Sequence, residues 1–188
     1  MGPSMGSVEL VFSLIALALL FLTLVVAAAT DVRERKVYNW LTWPAIALGL
    51  ALGYGQGGVG ASPFEGHSLL SHLAGLSLGF GLMMVVWWGR AVGGGEVKLA
   101  GAVGALAGFP FIIPALFWSS VVGALMGIWT LVWRGQLGRG LRSAMRYGLS
   151  FRSELPPRED PAAVTIPYAV AMAFGTLLAW GLEQGALG

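Results

Sequence analysis

Two carboxylic acids stand where a hydrocarbon environment makes charge expensive. Asp31 closes the first long apolar run, in Thr30-Asp-Val-Arg-Glu-Arg-Lys-Val-Tyr-Asn39, and Glu96 follows three glycines in Gly93-Gly-Gly-Glu-Val-Lys-Leu99. An ionisable side chain beside a membrane core is a functional hypothesis by default. Two carboxyls that share a partly desolvated site cannot both ionise cheaply, so one keeps a proton and the pair titrates as a unit. The ionised member can then draw a proton from water while its partner donates to a scissile carbonyl. Gly93 and Gly95 would let a backbone approach Glu96 without Cβ clashes. The ordinary alternative is that Asp31 is a solvated interface residue and Glu96 pairs with Lys98 or Arg90. The other acids (Glu9, Glu34, Glu65, Glu154, Glu159, Asp160 and Glu183) lie in tails, in loops or among basic neighbours.

The elements that must position these acids are membrane helices. Of 188 residues, 56% are hydrophobic and only 11% are charged, against roughly a quarter charged in a soluble domain. Mean hydropathy is +0.76. There is no cysteine, which excludes a disulfide scaffold, a thiolate zinc site and a cysteine nucleophile. A net charge of +2 gives no reason to invoke nucleic acid. His67 and His72 read as interface residues at the outer end of the third helix, and neither a metal nor another cofactor is expected.

About 20 apolar residues cross the bilayer core. Candidate spans are Val8–Ala29, Tyr38–Tyr54, Leu69–Trp88, Val97–Gly108, Phe111–Trp133 and Ile166–Leu182, with Phe109-Pro110 and Pro114 expected to break the run from Leu99 to Trp133. The fold class expected is therefore an all-α membrane protein with six transmembrane helices. All eleven basic residues fall in alternate loops, which places those loops in the cytoplasm and both termini outside. Asp31 and Glu96 then share the cytoplasmic membrane face. Residues 1–7 read as a cloning scar and N-terminal tail, 8–183 as the membrane domain, and 184–188 as a tail. Within the domain, residues 134–165 form a basic cytoplasmic loop. There Leu137, Leu141, Met145 and Leu149 alternate with arginines, as in a short amphipathic helix on the inner leaflet or in a plain linker. Small residues at four-residue spacing (Ser71, Gly75, Gly79; Ala100, Gly104, Gly108; Gly123, Gly127) predict close helix packing.

Three segments resemble those of the type IV prepilin peptidases, the bacterial branch of the G-x-G-D intramembrane aspartyl proteases. Asp31–Asn39 with Trp40-Leu41 resembles the family's Asp…Ile-Pro-Asn segment. Gly93–Gly108 resembles its Gly-x-Gly-Asp-x-Lys-Leu helix. Thr165–Gly175 resembles its last-helix Ile-Pro-Tyr segment. The likeness spans roughly residues 8 to 183, and the short form with an arginine-rich loop is most similar to the Tad/Flp-pilus subgroup. It implies a multi-pass endopeptidase of the bacterial inner membrane. Such an enzyme cuts the basic leader from prepilins or pseudopilins on the cytoplasmic side, usually after a glycine.

The resemblance makes Asp31 and Glu96 catalytic, with Gly93, Gly95, Asn39, Lys98, Pro167 and Tyr168 in support. Lys98 would meet lipid phosphate or an acidic substrate group, and Asn39 would brace the Asp31 segment or cap a helix. Larger members carry a cysteine-bound zinc domain and N-methylate the product; with no cysteine here, no zinc is expected and methyl transfer is disfavoured. Two departures stand out. Tyr38 replaces a proline, a change expected to touch no chemistry. Glu96 replaces the second aspartate, which moves the carboxylate by roughly 1–1.5 Å, a displacement worth about a hundredfold in rate. A working variant, a degenerate site and an engineered substitution all stay open for Glu96. So do two other functions: a prepilin-binding protein that does not cut, and an ion-coupled transporter. The transporter is disfavoured because both acids lie at helix ends and no inverted repeat is visible.

Overall fold

The computed structural model describes residues 7–60, 62–64, 67–88, 92–138 and 166–186. Six helices run through them: α1 (Ser7–Glu34), α2 (Asn39–Gly57), α3 (Leu69–Trp88), α4 (Gly94–Ala107), α5 (Phe109–Trp133) and α6 (Tyr168–Ala186). Among the described residues the chain is all-helical. Three helices are long and apolar enough to cross a membrane, over Leu10–Glu34, Leu69–Trp88 and Phe109–Trp133. Their outward faces carry large apolar side chains such as Leu22, Val25, Phe117, Leu125 and Trp129. Most of the basic 134–165 loop, Arg90, Thr165 and residues 1–6 lie outside the described residues.

The short helix α4 is the axis of the bundle and touches each of the other helices. Its run from Leu99 to Leu106 is buried on every side, as expected of a helix that is apolar all round. Its 14 residues rise about 21 Å, less than the roughly 30 Å of a bilayer core. The expected small-residue seams are present. A Cβ on Gly104 would lie 2.0 Å from the carbonyl oxygen of Gly75, and one on Gly75 would lie 2.3 Å from that of Gly104. Backbone therefore packs directly on backbone where α3 crosses α4.

Two helix boundaries differ from expectation. The break between α4 and α5 is made by Gly108, which adopts φ 81°, a conformation that glycine takes at no steric cost. Phe109 and Pro110 open α5 instead of ending a helix, and Pro114 sits inside it. A proline in the first turn has no intrahelical N–H bond to lose, so Pro110 fits there without strain. α1 also runs past Ala29 through Asp31 to Glu34.

His72 is not an interface residue. It is 1% exposed, and its ring fills the space that Gly53 leaves. Its Nδ1 lies 2.6 Å from the carbonyl oxygen of Ala105, so the imidazole ties α3 to α4 inside the core. His67 instead lines a separate cavity of about 600 Å³ at the opposite end of the bundle from Asp31, beside Leu10, Trp180 and Glu183.

Candidate active site

The last turn of α1, the first turns of α4 and α6, and the connection from α1 to α2 converge at one end of the bundle. Asp31 is buried there, at 5% exposure. Its Oδ2 accepts the backbone N–H of Ala169 at 3.0 Å. Ala169 is the second residue of α6, so its amide has no carbonyl within its own helix. Asp31 thus caps α6 from a helix 138 residues away, and the positive end of that helix faces its carboxylate.

Glu96 is held in a parallel way. It is the third residue of α4, and its Oε2 accepts the N–H of Gly93 at 2.6 Å. This is the backward-reaching half of a capping box, a role suited to the length of glutamate. Glu96 is half-buried.

Asp31 and Glu96 line a single cavity of about 310 Å³ together with Arg35, Lys36, Val37, Tyr38, Asn39 and the three glycines Gly93 to Gly95. The close approach that keeps this cavity small runs through Gly95: a Cβ there would lie 2.8 Å from the carbonyl oxygen of Val37. Any larger residue would push the α1–α2 connection away from α4.

Of the residues singled out in the sequence, Asp31, Glu96, Gly93, Gly95 and Asn39 meet in the cavity. Lys98 reaches it indirectly, because its Nζ donates to Asn39 Oδ1 at 2.8 Å. Asn39 is not a helix cap, since Tyr38 occupies the N-cap position of α2. Pro167 and Tyr168 stand beside Ala169, and the carbonyl of Pro167 accepts the N–H of Val170 at 3.1 Å. The half-buried ring of Tyr168 packs over Gly123 on α5.

Two neighbours of the carboxyls were not legible as such. Tyr38, expected to touch no chemistry, lines the cavity and donates its hydroxyl to the Glu34 carboxylate. Arg35 adopts φ 54° at the end of α1, with its N–H bonded to the carbonyl of Asp31 at 3.0 Å. A side chain in that left-handed region costs about 1 kcal/mol relative to glycine. A four-residue offset to Glu34 could have suggested the tyrosine bond; nothing in the sequence marks the conformation of Arg35. Among the described residues no group of three or more His, Cys, Asp or Glu side chains is arranged to hold a metal ion.

Comparison with known proteins bears on this site. The model of the type IV leader peptidase family matches residues 18–128, a stretch that contains both carboxyls. A prepilin leader peptidase/N-methyltransferase of Xanthomonas campestris pv. campestris is 29% identical over 132 residues. That alignment covers 66% of this chain and 42% of the relative, so the chain spans less than half of that protein's length. No solved structure matches the chain. The chain belongs to the type IV leader peptidase family.

Proposed function

With family membership as the premise, we propose that this protein is a membrane-embedded aspartic endopeptidase of the bacterial inner membrane. It removes the basic leader of prepilins or pseudopilins, in the manner of the Tad/Flp-pilus enzymes. In this reading the bundle crosses the membrane six times with both termini outside, and the cavity of Asp31 and Glu96 opens at the cytoplasmic face. The observation that carries the reading is that these two carboxyls, 65 positions apart in the chain, line the same small polar cavity.

The chemistry follows from the pair. A water held between the carboxyls loses a proton to the ionised one while its oxygen attacks the scissile carbonyl carbon. The protonated partner gives its proton to the carbonyl oxygen, so no charged tetrahedral species builds up. Collapse of that species breaks the C–N bond, and the proton taken from water passes to the departing amine. Ala169 and Gly93 supply fixed amide donors that orient one oxygen of each carboxyl. The other oxygen of Asp31 can face the water. Tight glycine packing at Gly95 excludes bulk solvent from one side.

A second reading, a prepilin-binding protein with impaired catalysis, draws support from Glu96. Its carboxylate is folded back onto the amide of Gly93, at the start of its own helix. Co-expression of the chain and its Glu96→Asp variant with a Flp-type prepilin, followed by mass spectrometry of the pilin N-terminus, separates the two. Cleavage by the unaltered chain supports the peptidase. Cleavage by the aspartate form alone supports the impaired binder, and cleavage by neither form, with several prepilins tried, argues against peptidase activity.

A further inference from the structure

The connection between α1 and α2 lies along α4 in matching register. Tyr38 is extended, at φ −85° and ψ 144°, so Val37 and Asn39 on either side of it face the same way. On α4, Gly95 and Lys98 stand at helical i, i+3 spacing and share one face. The facing positions meet in pairs. A Cβ on Gly95 would lie 2.8 Å from the carbonyl oxygen of Val37 and 3.0 Å from its Cβ, and Lys98 Nζ donates to Asn39 Oδ1 at 2.8 Å. The first contact sets backbone against glycine and has no slack. The second is a directional bond between side chains 59 positions apart.

Both contacts adjoin the acids. Glu96 lies between Gly95 and Lys98 on α4, and the connection leads directly from the last turn of α1, which carries Asp31. Farther along, α2 is pinned to α4, where a Cβ on Gly49 would lie 2.3 Å from the carbonyl oxygen of Ala105. At the cavity end, Asn39 is the first residue of α2. Loss of its bond to Lys98 would let α2 pivot about Gly49 and carry the cavity wall with it. The acceptor is a neutral amide oxygen, and residues two apart on a helix do not face each other. Lys98 therefore bears on Glu96 through position and not through charge pairing.

We propose that Lys98 and Asn39 are positioning residues: their bond holds the α1–α2 connection against α4 and so sets the separation of Asp31 from Glu96. The consequence for catalysis rests on the peptidase reading, whereas the spacing can be measured without a substrate. A displacement of about 1 Å between reacting groups can cost about a hundredfold in rate. An exposed hydrogen bond contributes little to folding, so the pair matters more to the reaction than to stability.

The test is a double-mutant cycle on the full chain, with Lys98→Met, Asn39→Ala and the two combined. Each single change should lower kcat for prepilin cleavage by about ten- to a hundredfold, with KM within about threefold of wild type. Melting should stay within about 4 °C of wild type. The double variant should lose no more than either single one, because both remove the same bond. The limbs of the pH profile should coincide in wild type and both single variants. Unchanged kcat, losses that multiply in the double variant, or a limb displaced in Lys98→Met alone overturn the proposal.

The spacing is read in the same variants from spin labels on Trp43→Cys of α2 and Trp88→Cys of α3. Both sites are exposed, and the chain has no cysteine of its own. The glycine seam with α4 makes α3 a fixed reference. The distance distribution should shift or broaden alike in the two single variants and the double one. Distances that do not change overturn the proposal whether or not the protein cuts. If wild type cuts no prepilin and the distances change as described, the peptidase reading fails and the bond keeps its role in spacing the two acids.

Discussion

The amide of Ala169 donates to the carboxylate of Asp31 at 3.0 Å, joining the first turn of the last helix to the last turn of the first. One carboxylate oxygen therefore holds α6, and substitution can separate that role from the proposed catalytic one. Asp31→Asn keeps an oxygen that accepts the Ala169 amide but cannot exchange a proton. Leader removal is expected to fall by about a hundred- to ten-thousandfold, with melting close to wild type. Asp31→Ala removes both functions and should also destabilise by about 1–2 kcal/mol, as loss of a helix cap does. Equal melting of the two variants would contradict the capping role.

Glu96 offers a complementary test. Glu96→Asp shortens the side chain, so it reaches the Gly93 amide less well and the start of α4 loses support. A loss of about 0.5–1 kcal/mol in stability is expected, together with a gain in cleavage of up to about a hundredfold as the carboxyl turns toward Asp31. Glu96→Gln retains the cap and should melt like wild type without cutting. Calorimetry and pilin mass spectrometry on the three proteins would show whether stability and activity move in opposite directions.

The seam between α3 and α4 predicts an unequal response to the same small change. Gly104→Ala would place its Cβ 2.0 Å from the Gly75 carbonyl, and backbone on both sides leaves no side chain to give way. A loss of about 1–3 kcal/mol is expected from such overpacking. Gly81→Ala on the same α3 meets nothing within 4 Å and should be neutral or stabilising by about 0.5–1 kcal/mol. Thermal melting in one detergent compares them, and similar losses for both would contradict the packing described.

The helices were legible because lipid imposes long apolar runs, and the limits expected for the third one, Leu69–Trp88, are those of α3. The glycine seams were legible for a related reason, since four-residue spacing puts small side chains on one helix face. Proline was a poorer guide: Pro114 lies within α5 and Gly108 makes the break, because a bundle can satisfy the bond that a proline frees. The meeting of Asp31 with Glu96 was anticipated from acids placed at the same membrane depth. The capping bonds were hidden, because they depend on helix starts that only the tertiary arrangement brings within reach. His72 was misplaced for the same reason: nothing local shows that Gly53 on α2 and Ala105 on α4 form its pocket.

Where Gly75 meets Gly104, α3 and α4 have no side chains between them that could change rotamer. Sliding or tilting one helix would drive main chain into main chain, so the two turn as one rigid body. That fixes the wall of the cavity carrying Glu96 and gives the site an immobile floor. The opposite wall, formed by the end of α1 and its connection to α2, is joined to α6 by the Asp31 carboxylate–amide bond and to α4 by the Lys98–Asn39 bond and the contact of Gly95 with Val37. The two acids therefore stand on separate walls, and any change in their spacing has to be taken up at those few contacts.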